Sequence, residues 1–334
     1  MSRGRRGPEG EDQGKCLDGG TGWTRSWTLT PSETQTPYAR TAAEQTGERM
    51  EKSYTLVLGG GAHLGAVQAG QLHALAEANV NIDRIIGVSV GALNGAFVSR
   101  GLNADTTGRL VELWRDAANE RLFDRGMRRF LRVLLREGAL SGNDRLRNFA
   151  EMACPERRLE NFPIPTEVVT CNLTSGTACY HQQGDAVELV VASCSMPGIF
   201  PPVMIEGERH VDGGVLDLLP WRRAGEREAL VLDCRGGGRW SSGEGETALS
   251  VLLSSFALAR RHRAYDGLDL QENLTIVPGP EIGKDVSLRK AGELIEDSYR
   301  ITKEFIANGG LGRTEPEPVG RRWRLRRGFW AGRS

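Results

Sequence analysis

Ser89, which lies between two glycines, is the residue whose surroundings most strongly indicate chemistry. It stands in a Gly-Val-Ser-Val-Gly segment from Gly87 to Gly91, after the apolar run 85–88 and before a run of small residues. A strand, a sharp turn and a helix in this order form a nucleophile elbow, which exposes the hydroxyl, and the glycines avoid clashes across the turn. The helix N-terminus favours negative charge developing there. The segment predicts a nucleophilic Ser89; the alternative is a tight turn that merely contains serine.

A glycine-rich loop lies upstream of the serine, after the preceding strand-like run. It contains Gly59, Gly60 and Gly61, then three further residues and Gly65, and a helical pattern of small residues follows. Glycines between a strand and a helix expose backbone N–H groups to an anion. A dinucleotide pyrophosphate is one such anion, but the third glycine of G-x-G-x-x-G is absent in either frame. An oxyanion hole is the better interpretation, with Gly59, Gly60 and Gly61 as donors to an ester attacked by Ser89.

Asp212 is the candidate general base. It precedes Gly213 and Gly214 and follows an apolar stretch at 196–203. A carboxylate beside two glycines can approach a serine hydroxyl without a bulky neighbour, and it can accept the serine proton directly. The alternative is an ordinary Asp-Gly turn.

The histidines test whether a third catalytic residue is needed. A triad hydrolase of this kind requires a histidine base after the serine and the acid. The chain has five histidines: His63, His73, His181, His210 and His262. His262 alone follows Asp212, and its arginine neighbours are typical of a solvated helix surface. The sequence therefore favours a Ser89–Asp212 dyad, and a triad that uses His262 stays open as the alternative.

The order of these motifs resembles that of the patatin-like phospholipases. A third motif lies between serine and aspartate, where residues 192–202 read Ala-Ser-Cys-Ser-Met-Pro-Gly-Ile-Phe-Pro-Pro. The resemblance extends over about residues 53 to 305. The chain departs from the family pattern at Ala62 and Leu64 in the glycine loop, and at Leu218 and Leu219 before Pro220.

The resemblance implies a fold, a reaction and a set of site residues. The fold is a three-layer α/β/α patatin-like fold with a mainly parallel central sheet. The reaction is hydrolysis of acyl esters of phospholipids or related lipids, without calcium or another cofactor. Ser89 is then the nucleophile and Asp212 the base of a dyad, and backbone N–H groups around Gly60 and Gly61 form the oxyanion hole. The motif glycines are Gly65, Gly87, Gly91, Gly213 and Gly214.

Strands and helices alternate along the chain, which independently predicts an α/β fold with a mainly parallel sheet. Strands are expected at 54–58, 85–88, 166–173, 177–181, 229–233 and 274–277, and helices at 248–265 and 288–307. The helical region from about 105 to 151 is the candidate lid. Its apolar residues could line an acyl channel, although ordinary core packing is the competing interpretation for most of them. They are Leu110, Leu113, Trp114, Leu122, Phe123, Phe130, Leu131, Leu134 and Leu135.

Composition limits the partners. The chain has 334 residues, 39% of them hydrophobic, and 43 basic side chains balance 43 acidic ones. This is enough apolar sequence for one large core, and zero net charge gives no indication of nucleic-acid binding. The six cysteines show no C-x-x-C pair and no zinc-ligand spacing, so no metal site is expected, and the thiols are expected to be buried in a reducing compartment. The oligomeric state is not predicted.

Two segments flank the expected domain at 50–308. Residues 1–49 are poor in aliphatic side chains and are expected to form a disordered extension, and Met50 is a candidate native start. Residues 309–334 form a basic tail rich in arginine and tryptophan. Such a tail is either disordered or a membrane-surface contact. No secretory signal and no membrane span are expected, which favours a cytoplasmic protein, with peripheral membrane contact as an open possibility.

The expected function is a serine lipid acyl hydrolase that works through an acyl-enzyme. One alternative is a triad esterase or acyltransferase that uses His262. Another is a lipid-binding protein in which the changes at Ala62 and Leu64 have ended catalysis.

Overall fold

The apolar runs of the chain form one eight-stranded sheet. The computed structural model describes residues 52–119, 144–234, 248–282 and 290–311. The strands are β1 Ser53–Leu58, β2 Asn81–Val88, β3 Thr166–Asn172, β4 Thr177–His181, β5 Val203–Ile205, β6 Glu208–Asp212, β7 Ala229–Leu232 and β8 Leu274–Ile276. The helices are α1 Gly65–Glu77, α2 Val90–Val98, α3 Ala104–Asn119, α4 Asp144–Ala153, α5 Ala186–Cys194, α6 Ala248–Tyr265 and α7 Ala291–Ala307.

The sheet is mixed and mostly parallel. Its order is β5-β6-β3-β2-β1-β7-β8, and β4 pairs with β3 outside this path. The pairs from β3 through β2, β1 and β7 to β8 are parallel, whereas β4, β5 and β6 pair antiparallel. The predicted mainly parallel sheet is therefore confirmed, and an antiparallel extension adjoins β3.

Helices cover both faces of the sheet, because the central strands are apolar on both sides. Leu56 and Leu58 of β1 pack in one core cluster with side chains of α1, α2, α5 and α7. Val57, between them, packs in a second cluster on the opposite face with Trp221 and with Ala264 of α6. This alternation confirms the predicted three-layer arrangement.

The described part of the candidate lid packs as core. Leu110 and Trp114 of α3 are buried, and Leu113 packs against the same core cluster. The Trp114 indole N–H donates to Asn94 Oδ1 at 2.9 Å. These three residues therefore pack as core, and the other six lid candidates lie outside the described residues.

Residues 1–51 and 312–334 lie outside the described residues, and with them the candidate start at Met50 and nearly all of the basic tail. None of the helices described is both long and apolar enough to cross a membrane. Cys171 and Cys234 are buried, Cys154 and Cys194 are partly buried, and these four cysteines are not in disulfides.

Candidate active site

Ser89 occupies a strained turn between β2 and α2. Its backbone angles are φ 55° and ψ −128°, a conformation that L-residues rarely adopt and that active sites often retain. A Cβ on Gly91 would lie 2.2 Å from the Leu58 carbonyl oxygen, and one on Gly87 would lie 2.6 Å from the Gly91 carbonyl oxygen. Only glycine fits at these two positions, as the elbow interpretation requires.

Strand β3 brings Asp212 to the serine. Val88, directly before Ser89, pairs with Val169 of β3, and Asp212 at the end of β6 pairs with Thr170. Two adjacent residues of β3 thus pair with Asp212 and with the residue before Ser89. This brings together Ser89 and Asp212, which are 123 positions apart in the chain. The Ser89 hydroxyl donates to Asp212 Oδ2 at 2.6 Å.

The Asp212 carboxylate is held by a second donor and is shielded from water. Its Oδ1 accepts the Gly214 N–H at 2.7 Å, and its exposed fraction is 2%. Burial raises the pKa of Asp212, while the Ser89 hydroxyl, the Gly214 N–H and the Arg260 charge act in the opposite direction. A carboxylate with a raised pKa is a stronger proton acceptor than an exposed aspartate. The pair can therefore activate a hydroxyl nucleophile.

Two serines of the 192–202 motif hold the backbones of the pair. Ser193 Oγ accepts the Ser89 N–H at 2.8 Å and donates to the Val169 carbonyl at 2.6 Å. The Ser195 carbonyl accepts the Asp212 N–H at 3.0 Å. Sequence reasoning used this motif only for the family resemblance and assigned these serines no role. The structure shows that they link the elbow and the aspartate to the same scaffold.

The glycine loop differs from the predicted donor set. The Gly59 N–H donates to the Leu232 carbonyl at 3.1 Å, and the Gly60 N–H donates to the Leu218 carbonyl at 2.9 Å. The first bond extends the pairing of β1 with β7, and the second joins the loop to the segment after β6, so neither N–H is available to an oxyanion in this conformation. Within the described residues, the N–H groups of Gly61 and Ala62 have no hydrogen-bond partner. The available donors are thus shifted along the chain from Gly59 and Gly60 to Gly61 and Ala62.

The loop crosses the serine at close range. A Cβ on Gly60 would lie 3.2 Å from Ser89 Cβ, and one on Gly61 would lie 2.4 Å from Cys234 Cβ. Ala62 takes φ 52° without being glycine, which costs about 1 kcal/mol. The other motif glycines also permit close contacts. An ideal Cβ would lie 2.3 Å from Val90 Cγ2 if built on Gly65, 2.4 Å from the Val169 carbonyl oxygen if built on Gly213, and 3.0 Å from Asp212 Oδ1 if built on Gly214.

A buried polar network fixes the loop from behind. Gln68 Nε2 donates to the carbonyls of Gly59 and Leu232, at 2.9 and 3.0 Å. Asn94 Nδ2 donates to Gln68 Oε1 at 2.9 Å and to the Gly65 carbonyl at 3.1 Å. Sequence reasoning missed these residues, since an amide inside a helical pattern carries no signal of its own. Their full burial makes them supports of the loop.

The hydrogen bonds described for Ser89 and for the Asp212 carboxylate involve none of the histidines. His262 is exposed on α6, as predicted. His181 Nε2 and His210 Nδ1 both bond to Thr170 Oγ1, at 2.8 and 2.9 Å. Burial lowers the pKa of His181 to about 4 and also lowers that of His210, so both rings are neutral at pH 7.

The fold brings together a group of potential metal ligands that could not be recognised from the spacing of these residues in the sequence. Potential ligand atoms of Cys179, His181 and His210 lie within 4.8 Å of one another. Both imidazoles are bonded to Thr170, and Cys179 has a contact of its own. We therefore assign no metal to this group.

Two solved structures align with a large part of this chain at low sequence identity. VipD from Legionella pneumophila aligns with a TM-score of 0.40 and 13% identity over 77% of this chain and 67% of that one. The type III effector ExoU aligns with a TM-score of 0.38 and 14% identity over 78% of this chain and 54% of that one.

Relatives in sequence are lipid hydrolases by name. Lysophospholipase nte1 from Aspergillus terreus is 31% identical over 176 residues, which are 50% of this chain and 11% of that protein. Patatin-like phospholipase domain-containing protein 7 from Mus musculus is 28% identical over 216 residues, 61% of this chain and 15% of that protein. This chain thus spans only a small part of these relatives.

The family match covers the whole of the serine–aspartate site. Residues 56–224, a little over half of the chain, match the family described as Patatin-like phospholipase. This range includes the glycine loop, the elbow, the 192–202 motif and Asp212. The chain therefore belongs to the patatin-like phospholipase family.

Proposed function

We propose that this protein hydrolyses carboxylic esters of lipids through a covalent acyl-enzyme, with Ser89 as nucleophile and Asp212 as general base. The observation that carries the proposal is the 2.6 Å hydrogen bond from Ser89 Oγ to Asp212 Oδ2, made at a strained elbow. Residues 50–308 are proposed as the catalytic unit. The proposal includes no cofactor.

In the first half of the reaction, Ser89 Oγ attacks the acyl carbonyl carbon and its proton passes to Asp212 Oδ2. The tetrahedral intermediate carries negative charge on the former carbonyl oxygen. The N–H groups of Gly61 and Ala62 are the donors for this oxyanion, and each such donor typically contributes about 3 kcal/mol to the barrier reduction. When the intermediate collapses, the ester C–O bond breaks and Asp212 returns the proton to the leaving alkoxide.

In the second half, water replaces the leaving alcohol. Asp212 accepts a proton from this water, which attacks the acyl carbon; when the bond to Ser89 Oγ breaks, Asp212 returns the proton to Oγ and the fatty acid is released. The Gly214 N–H holds Oδ1 throughout, so Oδ2 stays directed at the serine. Burial supports this role because it raises the pKa of Asp212 and so strengthens the carboxylate as a base. A histidine is not required by this scheme.

Phospholipids and lysophospholipids are the proposed substrate class. The support is the family of the chain and the relatives named as lysophospholipases. Peripheral contact with the lipid surface that holds such substrates is part of the proposal, whether or not the tail 309–334 contributes to it.

Release of p-nitrophenol from butyrate, octanoate and palmitate esters tests the reaction. We expect wild-type activity that Ser89→Ala abolishes and that Asp212→Asn lowers by at least about a thousandfold. His262→Ala is the control, because it removes an exposed side chain, and it should leave kcat unchanged. Full activity of Asp212→Asn would disprove the dyad, and a silent His262→Ala would disprove the triad.

Labelling with a fluorophosphonate probe separates an enzyme from a lipid-binding protein. The probe reacts with activated serines, so we expect one adduct on the peptide that contains Ser89, and none in Ser89→Ala. A native, unlabelled wild-type protein that still binds lipid would refute the enzymatic proposal.

A further inference from the structure

The segment 213–219, which directly follows Asp212, contacts both the general base and the glycine loop. Its Gly214 N–H donates to Asp212 Oδ1 at 2.7 Å, and its Leu218 carbonyl accepts the Gly60 N–H at 2.9 Å. An ideal Cβ would lie 3.1 Å from Leu218 Cδ1 whether it is built on Gly60 or on Gly214. Residues 213–219 are called the connecting segment here, because this short stretch of backbone joins the base to the loop.

A hydrogen bond between Tyr180 and Asp217 joins the connecting segment to the sheet. The Tyr180 hydroxyl donates to Asp217 Oδ2 at 2.7 Å. Tyr180 lies on β4, where it pairs with Val169 of β3, and Val169 also pairs with the residue before Ser89. The bond therefore attaches the connecting segment to the part of the sheet that aligns the nucleophile.

The ring of Tyr180 is held by contacts that do not involve its hydroxyl. The central guanidinium carbon of Arg223 lies 4.7 Å from the centroid of this ring. Arg223 Nε and Nη2 donate to the two carboxylate oxygens of Glu167 at 2.7 and 3.1 Å, and Glu167 is buried in β3. A bidentate ion pair of this kind fixes the guanidinium plane on which the ring stacks. We therefore expect the ring to keep its place when the hydroxyl is removed.

The Asp217 carboxylate is partly buried and bonded on two sides. Burial raises the pKa of Asp217, while the Tyr180 hydroxyl, the charges of Arg222 and Arg263 and the Leu219 N–H act in the opposite direction. The carboxylate thus bonds to a side chain of the sheet and to the backbone of its own segment. A carboxylate placed in this way can hold a short loop in one conformation.

We propose that Asp217 is a positioning residue whose bond to Tyr180 fixes the connecting segment, and with it the placement of the Asp212 carboxylate relative to the glycine loop. This inference rests on the proposed ester hydrolysis. The base and the oxyanion donors must be in place together, and a displacement of about 1 Å in a catalytic group can cost about a hundredfold in rate. A bond that only supports the fold affects stability, whereas a bond that positions the base and the loop also affects kcat.

The experiment compares Tyr180→Phe with Tyr299→Phe, which is the matched control. The Tyr299 hydroxyl also donates to a carboxylate at 2.7 Å, that of Glu77, the last residue of α1 and therefore at the opposite end of this helix from the glycine loop. Both tyrosines are partly buried, so both variants lose a similar bond and comparable stability. On p-nitrophenyl octanoate, we expect Tyr180→Phe to lower kcat about tenfold with KM changed less than about twofold, and Tyr299→Phe to keep wild-type kcat.

Two variants of Asp217 test the same bond from its other side. Asp217→Ala removes the acceptor and should lower kcat at least as much as Tyr180→Phe. Asp217→Asn keeps an amide oxygen that can accept the Tyr180 hydroxyl, so it should retain most of the wild-type kcat. Rescue by asparagine separates loss of this bond from loss of the fold.

The pH profile gives a measurement that a purely structural role would not change. Burial raises the pKa of Asp212, and the Ser89 hydroxyl, the Gly214 N–H and the Arg260 charge act in the opposite direction. Of these groups, the Gly214 N–H belongs to the connecting segment. If Tyr180→Phe loosens that segment, the pKa of Asp212 rises further and the acid limb of kcat/KM moves to higher pH. Wild-type kcat in Tyr180→Phe, equal losses in both tyrosine variants, or an unshifted acid limb would overturn the proposal.

Hydrogen–deuterium exchange tests the positioning role without turnover. We expect the peptides that contain Gly60 and Gly214 to take up deuterium faster in Tyr180→Phe than in wild type, and at the wild-type rate in Tyr299→Phe. Unchanged uptake in Tyr180→Phe would refute the positioning role even if ester hydrolysis is confirmed. If wild type cleaves no ester while uptake at both glycines rises, the hydrolase proposal fails and the attachment of base and loop through Asp217 stands.

Discussion

Gln68 connects the glycine loop to the core, and replacing it by methionine tests whether that connection supports catalysis. Its Nε2 donates to the carbonyls of Gly59 and Leu232, and its Oε1 accepts from Asn94 Nδ2. Methionine fills nearly the same volume but cannot form these three buried bonds. At about 1 kcal/mol for each bond, Gln68→Met should lower the free energy of unfolding by about 3 kcal/mol.

The same substitution should also reduce turnover. Gly59 begins the loop that carries Gly61 and Ala62, the proposed oxyanion donors, so a loosened Gly59 is expected to misplace those donors. Loss of one oxyanion donor typically costs 10²–10³ in kcat, and a displaced pair of donors should cost about 10- to 100-fold. KM should change less, because the donors act chiefly on the transition state.

Gln71, one turn later on α1, is the matched control. It is equally buried, and its Nε2 donates to the Val277 and Pro278 carbonyls, far from the serine. Gln71→Met loses two bonds, about 2 kcal/mol. Within the described residues, Gln71 Oε1 is buried without a hydrogen-bond partner, and removing it recovers about 1–3 kcal/mol. The net effect on stability should therefore be small, and kcat should not change.

Urea denaturation followed by far-UV circular dichroism gives the two free energies, and p-nitrophenyl octanoate hydrolysis gives kcat. The reasoning requires Gln68→Met to be less stable than Gln71→Met and slower in turnover. If Gln68→Met keeps wild-type kcat, the network does not position the donors. If both variants lose equal stability, the assigned bond energies are wrong.

Three further substitutions test local features. Ala62→Gly relieves φ 52° and should retain kcat with unfolding free energy unchanged or raised by up to about 1 kcal/mol; a large loss of kcat on octanoate esters would refute a strained donor loop. Asp212→Asn should be more stable than wild type in urea at pH 7 but not below pH 3.8. The pKa of Asp212 is raised in the folded state, so the free energy of unfolding of the wild type falls as the pH rises from 3.8 through that raised pKa; a more stable variant at both pH values would contradict this sign. Glu167→Gln leaves Arg84 and Arg223 without their buried carboxylate and should cost about 3–5 kcal/mol with little change in kcat; a neutral result in denaturation would refute the importance of this ion pair.

Short-range constraints explain which parts of the molecule the sequence could predict. Gly87 is needed because a Cβ there would overlap the backbone of Gly91 and Ala92 within the same turn, so this part of the motif records the geometry locally. The buried strand β1 and the helix α6 likewise carry their own apolar or helical pattern. Helix α7 begins at Ala291, whereas a start at 288 was predicted. These features depend on residues that are close in the chain, so they can be predicted from the sequence pattern.

The oxyanion donors show why the remaining features could not be predicted. Gly59 and Gly60 look like donors in the sequence, but their N–H groups bond to Leu232 and Leu218, which lie far along the chain. The short strands β5 and β6 and the helix α5 were also not predicted. Three to five residues of β-strand give too little alternation to recognise, and here β6 pairs along β3 while β5 pairs along β6.

Strand β3 is the element on which the whole proposed mechanism depends. Its Val169 pairs with the end of β2 and its Thr170 pairs with Asp212, so nucleophile and base are set by two adjacent pairings of one strand. Ser193 reinforces the junction, because it bridges the Ser89 N–H and the Val169 carbonyl. A histidine on a loop would need separate contacts to position it, whereas a base at the end of β6 is positioned by the pairing of β6 with β3. In the proposed mechanism, the antiparallel edge of this otherwise parallel sheet is thus what holds the base in place without a third residue.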